Sequence, residues 1–142
     1  MNQAIGPNSS GTAVGQGLWL PTPTYNVYLK ESDMTIPDPS QLWVMLDEHP
    51  DSINDGAFAV QMPNSPQGTQ WIDVPAKYHA DACGFSFADG HSEIHKWQSP
   101  SQIPEVSYTT LNKNGIFEVK NPDILWVARH TSARADGTAL PY

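Results

Sequence analysis

Three features of this chain predict a small α+β fold: an antiparallel β-sheet built from hairpins, with long loops and one short C-terminal helix. The first is punctuation, since 13 prolines and 10 glycines in 142 residues leave little room for long helices. The second is "GFSFADGHSEI", where Asp89-Gly90 separates two strand-like runs, as in a tight hairpin. The third is "NPDILWVARHTS", in which Asn121 can cap a helix, Pro122 can open it and Asp123 suits its first turn. The length suits a single domain over residues 1–142, large enough to bury a core without disulfides.

Composition narrows the function classes. Five Trp, five Tyr and four Phe make the chain too aromatic for a disordered one. Fifteen acidic against seven basic residues give a formal charge of −8, a field that repels phosphate backbones and anionic membrane surfaces, so nucleic acid is not an expected partner. The lone Cys83 has no internal disulfide partner and lies in no zinc-ligand spacing. The 142 residues contain no signal peptide and no apolar run near twenty residues.

The elements follow in order. Residues 1–24, with "GPNSSGTAVGQG" and "LWLPTPT", read as an irregular Gly-, Pro- and Ser-rich lead-in. "LKESDM" suits one helical turn before the prolines of "IPDPSQ" break the chain. "LWVMLDE", Leu42 to Glu48, is apolar at both alternations, which predicts a central strand covered on both faces. After the polar turn "HPDSINDG", the segment "AFAVQM" (57–62) reads as its antiparallel partner, making a first hairpin. "WIDVPAKY" leads into the second hairpin around Asp89-Gly90, whose two residues suit a type I′ turn with positive φ at both. That turn pairs Ala88 with His91, Ser86 with Glu93 and Gly84 with His95, placing Phe85, Phe87 and Ile94 on the core side and the His/Glu stripe opposite. "YTTLNKNGIFEVK" suggests a further hairpin at Asn114-Gly115. The apolar stripe of the C-terminal helix is Ile124, Leu125, Val127 and Ala128.

The stretch from Tyr78 to Trp97 concentrates His79, His91, His95, Cys83 and three carboxylates. On a helix, His91 and His95 would share a face and grip one metal ion; on a strand they stand roughly 13 Å apart and do not. A Cys-His nucleophilic pair needs an orienting group and an oxyanion site that spacing does not supply, so Cys83 reads as a buried thiol. Acid pairs of the glycosidase kind can be drawn from Asp47, Glu48 or Glu93, as in any acidic protein. "DEHPDSINDG" is the better metal candidate: Asp47, Glu48, Asp51, Asn54 and Asp55 offer hard oxygen donors suited to calcium, without the EF-hand spacing. The same residue types also dominate plain turns.

Several of these stretches combine. His79, nine intervening residues and then Asp89-Gly90 resemble the pattern of the prepilin-type, processing-associated His-x9-Asp-Gly family of planctomycete and verrucomicrobial type IV pilin-like and type II secretion pseudopilin-like proteins. "MNQAIG", "DEHPDSINDGAF", "FADGHSEIHKW" and "PDILWVARHTS" resemble it too, in the expected order over most of the chain. Members of that family begin with a basic leader and an apolar helix of about twenty residues that anchors the precursor in the membrane.

The resemblance therefore implies that this chain is the C-terminal head of such a protein, its helix lying upstream of Met1. The role implied is non-enzymatic: a subunit on the periplasmic or extracellular side, partnered by other pilin-like subunits or secretion components and touching the membrane only through that helix. Without the helix an apolar surface is expected, covered by a homo-oligomer or by the lead-in. Major pseudopilins often hold calcium, which supports the same reading of the Asp47 to Asp55 loop. His79, Asp89 and Gly90 are expected to be structural, with Asp89-Gly90 forming the turn and His79 hydrogen-bonded to it or to a neighbouring loop. The alternative is a secreted polysaccharide-binding module or hydrolase, in which the aromatics face sugar rings above the His91/Glu93 stripe.

Overall fold

The computed structural model describes residues 1–6, 19–63, 70–110 and 121–140. Three strands form an antiparallel sheet in the order β1 (Trp43–Leu46), β2 (Ala82–Phe87), β3 (Ser92–Lys96). One helix, α1 (Pro122–Thr131), and three single 3₁₀ turns at Glu31–Asp33, Pro39–Gln41 and Pro100–Gln102 complete the regular structure. The α+β expectation holds, and "LKESDM" does make one helical turn. The Asn114-Gly115 hairpin falls outside the described residues.

The helix starts as its residue types require. Asn121 accepts from the backbone N–H groups of Asp123 (2.8 Å) and Ile124 (3.2 Å), and Pro122 follows at the first helical position. Asp123 is buried because its two oxygens accept from the N–H groups of Gln98 and Ser99 at 2.9 and 2.7 Å. The helix thus fastens the end of the β3 segment to its own N-terminus. Ile124, Val127, Ala128 and Thr131 form its buried face, with Leu125 only half-buried.

Two expectations about the sheet are overturned. β1 is an edge strand and not a central one; Met45 on it is 59% exposed. Its partner is β2, through Trp43 to Phe87 and Leu46 to Phe85 with a bulge between Trp43 and Met45, and not the 57–62 segment. The reason lies in the first residues. Asn2 donates its N–H to the Val44 carbonyl (2.9 Å), while Gln3 donates to the Phe58 carbonyl and Phe58 to that of Met1 (3.2 and 2.7 Å). Residues 1–4 are therefore inserted between β1 and the segment expected to pair with it. The described part of the lead-in is irregular in backbone, yet Asn2, Gln3 and Ala4 are fully buried.

The Asn2 amide explains why a polar side chain is tolerated there. Its Nδ2 donates to the Trp43 carbonyl (2.8 Å) and the Thr131 carbonyl (3.1 Å), and its Oδ1 accepts from Ala4 N–H (2.8 Å). One side chain thus ties the first residues, β1 and the end of α1 together. Beside it Trp43 is fully buried, edge-on to Phe58 and Phe85, and its indole N–H donates to Thr131 Oγ1 at 3.0 Å.

The second hairpin forms, but one residue out of the expected register. Observed pairs are Ser86 with Ser92, Phe85 with Glu93, Gly84 with Ile94 and Cys83 with His95. The loop holds three residues, Ala88 to Gly90, closed by Gly90 N–H to the Phe87 carbonyl (3.0 Å) and Phe87 N–H to the His91 carbonyl (2.9 Å). Gly90 alone has positive φ, at +93°. Asp89 is held instead by its own side chain, whose Oδ1 accepts from the backbone N–H and Nδ1 of His91 at 3.1 and 2.5 Å. A type I turn ending in a left-handed glycine replaces type I′.

The slip exchanges the two faces of β3. His95 and Glu93 share the side of Phe85 and Phe87, where α1 packs. Ile94, expected in the core, is 64% exposed on the other side.

Candidate functional site

The His-x9-Asp-Gly residues bracket β2, the central strand. Asp89-Gly90 ends it by turning the chain. Before its other end lies His79, 48% exposed, with Nε2 3.4 Å from Asp47 Oδ2. Of the two partners expected for His79, the structure therefore gives it the neighbouring loop.

Asp47 is the hub of this region. Its backbone N–H donates to the Gly84 carbonyl (3.2 Å), and its own carbonyl accepts from Ala76 N–H (2.8 Å) and the Cys83 thiol (3.3 Å). Its carboxylate also accepts from Gly84 N–H at 3.3 Å. That close approach explains Gly84, because a Cβ there would stand 2.8 Å from Asp47 Oδ2. Cys83 is buried, and desolvation pushes its thiol up to about 12, so it carries almost no thiolate at neutral pH.

The chain between His79 and β2 is strained. Ala80 and Asp81, neither a glycine, have φ of +54° and +63°. The strain lets His79 N–H reach the Ala82 carbonyl (3.3 Å) as Trp97 N–H bonds the Asp81 carbonyl (2.9 Å), which starts the β2-β3 ladder.

Of the five oxygen donors proposed for calcium, three carboxylates, those of Asp47, Asp51 and Asp55, are engaged elsewhere. Asp47 faces Gly84 and His79. Glu48 lies where the backbone bridges to Pro75. Asp51 is buried and accepts from the N–H and hydroxyl of Ser107 at 2.7 and 2.9 Å, bonds that hold its carboxyl below the usual range. Asp55 Oδ1 accepts from Ala57 N–H (2.7 Å) within its own turn, and Asn54 is exposed. Among the described residues no three His, Cys, Asp or Glu side chains converge on one point.

What organises the loop instead is a histidine that sequence reasoning passed over. His49 is buried, its Nδ1 accepting from Asp51 N–H (3.2 Å) and its Nε2 donating to the Pro104 carbonyl (3.1 Å). Together with Asp51 and Ser107 it joins the 47–55 loop to the 104–107 segment.

On the helix side of the sheet lies a second unforeseen cluster. The Trp126 indole is sandwiched between His95 (3.7 Å, 18° between planes) and His130 (4.1 Å, 29°). Phe85 stands edge-on to Trp126 at 5.0 Å, and Phe87 stacks on His91 at 4.4 Å. The i, i+4 spacing of Trp126 and His130 marks a shared helix face, a signal legible in the sequence. Burial lowers the affinity of both His95 and His130 for protons; for His95 the nearby Asp123 and Glu93 oppose this, and His130 adds to it. His95 Nε2 is buried with no hydrogen-bond partner, a site unsuited to a second proton.

The opposite face of the sheet is open. Its floor is Gly84, Ser86 and Ser92, flanked by Met45 and Ile94, and together they line a shallow depression of about 680 Å³. No tryptophan lines it; Trp43, Trp71 and Trp97 are buried and Trp126 is packed against the core. Among the described residues no helix is long and apolar enough to cross a membrane. Compared with protein-family models, curated proteins and solved structures, the chain matches none.

Proposed function

We propose that this chain is a structural, assembling subunit, the extracytoplasmic head of a type IV pilin-like or type II secretion pseudopilin-like protein, held at the membrane by a helix preceding it and partnered by other such subunits. The observation that carries the reading is the open sheet face. A sheet with α1 and the aromatic core on one side presents on the other a floor of Gly84, Ser86 and Ser92 between exposed Met45 and Ile94. Small residues between two apolar flanks suit the close approach of an apolar helix, and that helix would remove both flanks from water. The motif supports the same reading. His79 holds the end of β1 through Asp47, and Asp89-Gly90 turns β2 into β3, so the pattern shapes the sheet that such a helix would use. Cys83 offers no reactive thiolate, which fits a structural role.

The test is the DNA upstream of the Met1 codon together with the location of the protein in its cell. A reading frame continuing into a basic leader and an apolar stretch of about twenty residues, with the protein in the membrane fraction, is the expected result. An in-frame terminator with no apolar segment nearby overturns the reading.

A further inference from the structure

The outer edge of β3 is an unused half of a hydrogen-bonding ladder. Phe87 N–H bonds the His91 carbonyl and Trp97 N–H bonds the Asp81 carbonyl, so in β3 the odd-numbered residues turn their backbone groups toward β2. The N–H and carbonyl groups of Ser92, Ile94 and Lys96 point the other way, where no described residue pairs with them. At the centre of this edge sits Ile94, one of the most exposed large apolar side chains of the described residues. Natural proteins seldom leave such an edge both unpaired and apolar at its middle.

We propose that β3 pairs antiparallel with β3 of a second copy of this chain, about a two-fold axis through Ile94, joining two three-stranded sheets into one. The side chains select both the partner and the register. With Ile94 opposite its twin, Glu93 faces His95 of the second copy and Ser92 faces Lys96, so no like charges meet and the two Ile94 side chains cover each other. A pairing centred on Glu93 would set two carboxylates face to face, and one centred on His95 would set two half-buried imidazoles together. The Ile94 register offers about six inter-chain backbone hydrogen bonds. The open sheet face continues across the junction, so the pairing stands independently of whether a helix covers that face. Each copy carries a formal charge of −8, so the association strengthens as salt screens their mutual repulsion.

Cysteine cross-linking of the full chain tests the register, with the buried Cys83 left in place and the unsubstituted chain as control. In a hydrogen-bonded antiparallel pair, facing Cα atoms are about 5.5 Å apart, within disulfide range, so Ile94→Cys is expected to give a covalent dimer under mild oxidation. Ser92→Cys is not, because the two copies of position 92 stand roughly 13 Å apart. Ser92→Glu, which sets a carboxylate opposite Lys96 of the second copy, is expected to tighten the dimer about fivefold in sedimentation equilibrium. The proposal is overturned if Ile94→Cys gives no dimer, if Ser92→Cys cross-links equally well, or if the unsubstituted chain stays monomeric up to a concentration on the order of 1 mM.

Discussion

The imidazole of His95, on β3, lies 3.7 Å from the indole of Trp126, on α1, with the rings within 18° of parallel, and His130 stacks on the other side of the same indole. This contact joins sheet to helix, and it requires that the imidazoles be buried. Desolvation therefore holds both histidines below the ordinary value of about 6.5.

The sign of the pH dependence follows. Between the lowered folded values and about 6.5 the unfolded chain binds more protons, so stability rises with pH through that window and is complete above it. The melting temperature is expected to be flat near pH 8 and to fall as pH drops below about 6.5, with the double variant His95→Phe, His130→Phe losing that fall. Carboxylates held low, such as Asp51 and Asp89, add a separate loss only near and below about pH 4. A thermal scan series from pH 8 to pH 3 separates the two windows.

Asn2→Ala is expected to cost about 2–4 kcal/mol in chemical denaturation, because it strips the Trp43 and Thr131 carbonyls of a buried donor. Asn2→Asp should be worse, since an acceptor-only carboxylate would face those two carbonyls. Near-native stability of Asn2→Asp would show that residues 1–4 do not occupy the core position described.

The positive φ values at Ala80 and Asp81 predict stabilising substitutions. Asp81→Gly, alone or with Ala80→Asn, should raise stability by about 1 kcal/mol, because glycine and asparagine adopt that backbone region at less cost. Gly90→Ala, at φ +93°, should lower it by a similar amount. Denaturation midpoints of the three variants check the signs.

For His79→Ala the expected loss is under about 1 kcal/mol, since the ring and its Asp47 partner are both half exposed and the pair is screened by solvent. A burial-sized loss of about 2 kcal/mol or more would place the imidazole in a tighter site than the one described.

Melting curves with calcium and with chelator are expected to superimpose, because the carboxylates of Asp47, Asp51 and Asp55 accept from three separate partners, Gly84, Ser107 and Ala57. An ion bound by the native state alone would raise the midpoint by mass action, so a calcium-dependent shift would require the loop to rearrange.

Within the chain itself, the signals that read correctly were those acting over a few residues. Asn121, Pro122 and Asp123 start a helix through backbone groups no more than three positions away. Asp89 and Gly90 turn the chain because one side chain and one positive φ suffice. The candidate residues His79, Asp89 and Gly90 were visible as a pattern, and they lie at the two ends of β2. The His49 contact with Pro104 and the stacking of His95 on Trp126 were not legible, because each joins residues far apart in the chain, whereas the Trp126 and His130 spacing was a local signal left unread.

The residue types of the chain by themselves determined that it forms a small α+β unit with a hairpin at Asp89-Gly90 and a capped helix after Asn121, since turns, caps and alternation are properties of neighbouring residues. Only the tertiary structure decided which strand flanks Trp43–Leu46 and which face of β3 meets the helix. The first choice rests on Asn2, which reaches Trp43 and Thr131 across 41 and 129 positions of sequence. The second rests on a single residue of loop length, and that is enough to move His95 from solvent onto Trp126, because successive strand side chains point to opposite faces.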